Sequence, residues 1–144
     1  MFLVLALVLA LTLAGTVVPP AIGSPDGRYS GRYVDVDDPG DEGGVTFRVK
    51  GAGRWLYAFE ASPLAVCVNP DAIGGIEVVS RDFLIGKVRV RSDGRFNKQR
   101  TISLGGDSQQ VFRISGRILN GKVRNGRMTM EKHCSSVERF TAHR

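Results

Sequence analysis

The chain has 144 residues, 42% of them hydrophobic and 24% charged, with 20 Lys and Arg against 14 Asp and Glu, for a net charge of +6. That length holds one domain with a real core and leaves little room for a second. Its two cysteines and two histidines occur at none of the close spacings of a zinc site.

The first segment, "MFLVLALVLALTLAGTVV", is an uncharged apolar run followed by "PPAIGSPDG", in which Ala21 and Gly23 are spaced as a signal peptidase requires. Residues 1–23 therefore read as a signal helix, cleaved after Gly23. No Lys or Arg precedes the run, which leaves an uncleaved anchor as the alternative. A span needs about 20 apolar residues, whereas this run is interrupted by Gly15 and stopped by Pro19 and Pro20. The expectation is a secreted, extracellular protein with no membrane span after cleavage and a single all-β domain over residues 24–144.

Period-two alternation dominates that domain, and helical periodicity is scarce. The candidate strands, in order, cover residues 28–34, 45–50, 54–61, 64–68, 76–80, 87–91, 95–104, 111–118, 127–134 and 137–142. In the second, Val45, Phe47 and Val49 alternate with Thr46, Arg48 and Lys50; in the sixth, Val88 and Val90 alternate with Lys87, Arg89 and Arg91. "DPGDEGG", "SDG", "GGD" and "NG" separate them, residue types that make tight turns. About 8–10 short strands without a long helix indicate a small antiparallel barrel, with a sandwich as the alternative.

Export decides the reading of "MEKHCSSVERF", which sets His133 beside Cys134. In an oxidising compartment two cysteines are most simply a disulfide, here Cys67 to Cys134, with a reactive thiol or a metal site as weaker alternatives. Closing a loop of about 67 residues stabilises a fold by roughly 4 kcal/mol on the chain-entropy estimate. In the last hairpin, Phe140 and Ala142 should share a face with Met128, Met130 and Cys134, with Lys132 near the rim. His133 and His143 then fall at opposite ends, more than ~13 Å apart at about 3.3 Å per residue.

The arrangement resembles a family of small exported, two-cysteine all-β proteins of high-GC Gram-positive bacteria. The residues that carry the resemblance are Gly27, Tyr29 and Gly31; Phe47 and Val49; Cys67; Gly94 and Phe96; Phe112, Ile114 and Gly116; Gly126; and Cys134, Phe140 and Ala142. The resemblance implies a disulfide-stapled β fold and brings no catalytic residues. This chain departs from the pattern by the acidic insert "DVDDPGDEGG" and by the longer segment "NPDAIGGIEVVSRDFLIG".

Catalytic constellations are weak. There is no "GxSxG" elbow for a serine nucleophile, and the carboxylates Glu60, Glu77, Glu131 and Asp82 each stand alone in their segments. "GAG" at 51–53 lacks the Lys-Ser/Thr and following helix of a phosphate cradle and reads as a turn. The insert holding Asp35, Asp37, Asp38, Asp41 and Glu42 fails the calcium-loop pattern at Pro39 and Thr46 and reads as a polar loop. No enzyme, metal or cofactor is implied.

What remains is charge. Residues 24–80 carry 5 basic and 9 acidic side chains, whereas residues 81–144 carry 15 and 5. Outward rows drawn from Arg89, Arg91, Arg113, Arg117, Lys122, Arg124 and Arg127 would let an exported module engage an anionic envelope polymer or an acidic protein. Outside the cell, nucleic acid is not a physiological partner. The second hypothesis is a small-ligand carrier or inhibitor-like barrel whose cavity is lined by Trp55, Tyr57, Phe59, Phe47, Phe96 and Phe112.

Overall fold

Ten strands form where the alternation lies. The computed structural model describes residues 25–34 and 43–144; the signal segment 1–23 and the acidic loop 35–42 lie outside the described residues. The strands are β1 (Gly27–Tyr33), β2 (Gly44–Lys50), β3 (Trp55–Ala61), β4 (Leu64–Val68), β5 (Ile76–Ser80), β6 (Val88–Arg89), β7 (Arg95–Gly105), β8 (Ser108–Leu119), β9 (Lys122–Lys132) and β10 (Cys134–His143). Eight of them run β6-β3-β2-β1-β10-β9-β8-β7, all neighbours antiparallel. The isolated bridge Val90↔Phe96 brings the two ends of that order together. The fold is thus a nearly closed antiparallel barrel, and the sandwich alternative falls away.

The segment after β5 covers the remaining seam. Phe83 and Ile85 are buried there, and the Phe83 N–H donates to the Ala61 carbonyl at 2.8 Å. Inside the barrel, aromatic rings pack in a continuous chain. Tyr29 stacks on Phe47 at 5.0 Å and Phe47 on Phe59 at 5.8 Å; Phe59 meets Phe83 and Phe140 edge-on, each at 5.7 Å. Phe83 in turn meets Phe112 at 5.4 Å. Each buried ring removes a large apolar area from water and gains edge or stacking contacts besides.

Bulges aim these side chains. In β3 the register slips between Thr46 and Arg48 of its partner, and Ala58 takes φ 47°. Leu56 and Phe59 both face inward as a result, while Trp55 and Tyr57 remain on the outer wall. A similar slip in β9, with Asn125 at φ 52°, interrupts the alternation of Lys122–Gly126. That interruption is why the sequence reading starts the strand five residues late. Beside it, Gly126 lies opposite Phe140, and a Cβ there would sit 2.5 Å from the Phe140 carbonyl and 2.8 Å from its ring. Gly116 likewise lies opposite Phe96 and would meet that ring at 2.6 Å. Phenylalanines laid over cross-strand glycines let the sheet curl tightly without leaving a hole.

At the other end of the β9–β10 hairpin the strands splay. β9 follows β8 to the rung Gln110↔Lys132, whereas β10 starts by pairing with β4 at Cys134↔Cys67 and Ser135↔Val66. The disulfide closes this rung, with a Cα–Cα distance of 4.0 Å, and both cysteines are buried. Splaying leaves backbone groups without ladder partners, and the buried Gln110 supplies them. Its Nε2 donates to the Glu131 and Cys134 carbonyls, both at 3.0 Å, and its Oε1 accepts the Cys134 N–H at 2.8 Å. Lys132 turns this corner at φ 86° and is exposed, as expected of a rim residue.

Replacing Gln110 with Ala strands the buried Cys134 N–H and C=O, each costing about 1–3 kcal/mol when unmade. Urea unfolding of the oxidised protein should show Gln110→Ala destabilised by about 2–4 kcal/mol, and the exposed neighbour Gln109→Ala by less than about 1. Equal effects of the two substitutions would remove Gln110 from this role.

Candidate anion-binding site

In an up-and-down barrel, every second turn falls at the same end. The β2–β3 turn, the β6–β7 turn and the β8–β9 turn therefore gather at one end, together with Pro25, where the described chain begins, and Arg144. This end is basic. A cleft of about 780 Å³ between Pro25, the 51–54 turn, the 91–94 turn and Asn120 is lined by Arg54, Arg89, Arg91 and Arg117, with Asp93 the one acid. Asn120 also borders a second cleft of about 890 Å³, lined by Lys122, Arg124, His143 and Arg144.

Local structure fixes the frame of the first cleft. The Arg54 Nε–H donates to the Gly51 carbonyl and the Arg117 Nε–H to the Asp93 carbonyl, each at 2.9 Å, so two guanidinium groups are held against turn backbone. Asp93 pairs with Arg95 at 3.5 Å. Gly51, Ala52 and Gly53 all have positive φ, a conformation that aims successive N–H groups into one concavity. That concavity already holds a carboxylate: the Ala52 and Gly53 N–H groups donate to Asp26 at 3.0 and 2.7 Å. The "GAG" stretch is thus the turn expected from sequence, with an internal acid as its anion.

Five of the seven sequence-predicted basic residues meet at this end: Arg89, Arg91 and Arg117 in the first cleft, Lys122 and Arg124 in the second. The other two do not. Arg113 lies farther up the wall, bonded to Gln99 and Glu131. Arg127 stands opposite Arg139 on the β9–β10 ladder. Arg54, Arg95 and Arg144 were missed by sequence reasoning, although Arg54 and Arg95 adjoin the turns "GAG" and "SDG", and counting turns would have placed both at one end.

Register adds a cost that points the same way. Arg117 stands directly opposite both Arg95 and Arg124, Arg127 opposite Arg139, and Arg28 opposite Arg48. Like charges in facing positions destabilise a sheet. The side chains of Arg89, Arg91, Lys122, Arg124 and Arg127 make no hydrogen bond or ion pair among the described residues. Unneutralised cations concentrated in a concave surface raise the local potential and attract anions.

The remaining chemistry is dispersed. Glu60 accepts from Thr46, Glu77 from Asn69 and Arg81, Asp82 from Ser62, and Glu131 from Arg113, so these four carboxylates form no pair. Among the described residues no three of His, Cys, Asp and Glu gather as metal ligands. His143 lies opposite Lys122 and His133 in the corner after β9, at the two ends of the hairpin. Of the six aromatic residues considered for a ligand cavity, Phe47, Phe59, Phe96 and Phe112 are buried in the core. Trp55 and Tyr57 instead hold the Lys87 ammonium on the outer wall, 3.8 and 5.2 Å from the ring centroids. The bulge at Ala58 separates the two groups.

The floor of the basic end is the Pro25–Tyr29 clasp, in which the Tyr29 hydroxyl donates to the Pro25 carbonyl at 2.8 Å. Burial raises the Tyr29 pKa above the usual 10.0, with Asp26 adding to the rise and Arg144 opposing it. A raised native pKa stabilises the fold below the unfolded value, and that contribution is lost as pH rises through the native one. The stability gap between wild type and Tyr29→Phe in urea should therefore be constant near neutral pH and narrow above pH 10.0; a gap that stays flat or widens there would contradict this. No family model, curated protein or solved structure matches the chain, so the reading of this end rests on its own chemistry.

Proposed function

We propose that this protein is an exported, non-enzymatic β-barrel module that binds a polyanionic component of the cell envelope at its basic end. The observation that carries the reading is the pair of adjoining clefts. They share Asn120 and display Arg89, Arg91, Lys122 and Arg124 with no internal partner. Cations kept unpaired on an outer wall, one of them, Arg124, facing the like charge of Arg117, are better accounted for by an external anion than by folding. The apolar leader and the Cys67–Cys134 disulfide support export. An acidic protein would use the same charges, but two clefts side by side favour an extended chain with repeated negative groups.

The test is co-sedimentation with purified cell envelope and with soluble anionic polymers over a salt series. A variant with Arg89, Arg91, Lys122 and Arg124 changed to Ser should lose about tenfold or more in affinity, and wild-type binding should fall steeply as salt shortens the screening length. A variant with Arg113 and Arg127 changed to Ser should bind nearly as wild type does. Equal loss in both variants would make the charge diffuse rather than sited. Absence of binding in wild type would remove the proposal.

A further inference from the structure

The end of the barrel opposite the basic clefts carries a surface of another kind. β4 and β5 form a two-stranded ribbon joined to the barrel at two rungs of β10 and by the disulfide. Its inward residues Ala65 and Cys67 belong to the core. Its outward residues are Leu64, Val66 and Val68 on β4 and Ile76, Val78 and Ser80 on β5, with Val66 opposite Val78 and Val68 opposite Ile76. The five apolar ones are 42–65% exposed, and Ile73 at the hairpin tip is 103% exposed. Val137, the next outward residue of β10 after Ser135, is 60% exposed. On β1 and β7 the outward positions carry Arg, Ser, Thr, Asn and Gln instead.

We infer that this ribbon face is a self-association surface on which a second copy of the chain packs about a two-fold axis. Area is the first argument. The five outward side chains expose of the order of 450 Å², and with Ile73 and Val137 about 750 Å², close to the roughly 800 Å² per partner of a standard interface. A patch of that size is large for a monomer. Shape is the second argument, because a two-fold contact asks one patch to be complementary to itself. A flat ribbon centred on the facing pair Val66 and Val78 can stack on its own copy as two sheet faces do, about 10 Å apart. Charge is the third. The outward face has no ionised side chain, and Glu77, on the other side, is tied to Asn69 and Arg81. Joining at this end also holds the two sets of basic clefts apart, where joining at the opposite end would press cations together.

The free edge of β5 is a poorer candidate surface. The bonds Arg81 N–H to Pro63 O and Asn69 N–H to Gly75 O fix the ladder phase, so only Ile76, Val78 and Ser80 present their main-chain groups outward. Strand pairing there would leave the apolar face wet. A face-packed dimer also has a functional consequence, which rests on the polyanion reading above: two outward-pointing basic ends make a bivalent binder, whose avidity for a long polymer exceeds that of either end.

The test is sedimentation velocity on protein recovered from the full-length chain, with its disulfide verified by mass. Concentrations would span roughly 1–500 μM, bracketing the affinities that an interface of this size reaches. Wild type is expected to pass from monomer to dimer within that range. Val66→Thr/Val78→Thr, which keeps β-branched strand formers, should stay monomeric with an unchanged thermal midpoint, as should Val78→Lys. Wild type that stays monomeric throughout overturns the inference, even if the face then captures another protein or neutral lipid vesicles. Dimers that persist in the Thr variant also overturn it. The polyanion reading fails separately: there the dimer forms but neither protein binds polymer. Where both hold, the Thr variant should match wild type on a short oligomer and bind a long polymer about tenfold or more weaker.

Discussion

The corner where β9 and β10 part is the constraint on which the rest of the molecule depends. If the hairpin continued straight, β10 would have no way to reach β4, and the ribbon would have no place on the barrel. The splay makes that junction, and it is tolerable because one buried amide satisfies the main-chain groups it exposes while the Cys67–Cys134 bond holds the rung beside it. An amide suits this position because it donates and accepts at once. A hydroxyl could not reach two carbonyls and an N–H together, and an apolar residue would leave the Cys134 N–H and C=O unpaired.

Much of this architecture was legible in the residues. All ten strands follow from alternation between turn-forming clusters, although the last break falls at His133, so that Cys134 opens β10 and does not close β9; the pairing of the cysteines follows from there being only two. The parts that were not legible are those where alternation breaks. Ala58 gives no sign in the sequence that it will adopt positive φ, and Asn125, in an "NG" pair, reads as a turn and not as a bulge inside a strand, yet the two decide that Phe59 turns in, that Trp55 and Tyr57 stay out, and that β9 begins at Lys122. Gln110 was invisible for a related reason: a glutamine in a polar stretch looks solvated until the splayed strand closes over it.

The candidate site was legible in type but not in composition. Charge asymmetry along the chain identified the basic half, and five of the seven residues drawn from it do converge. Arg113 and Arg127 do not, because outward position on a strand says nothing about height on the barrel. Arg54 was missed because it belongs to the acidic half of the sequence and joins the basic end only through the topology of the turns.

The Asp26 carboxylate, held by the Ala52 and Gly53 N–H groups, pins the beginning of the barrel to its basic end. Pro25 therefore lies beside Arg54 in the lining of the first cleft, at the end remote from the ribbon. The fold is in this sense polarised. A surface that meets the cationic clefts head-on leaves the apolar ribbon pointing away from it.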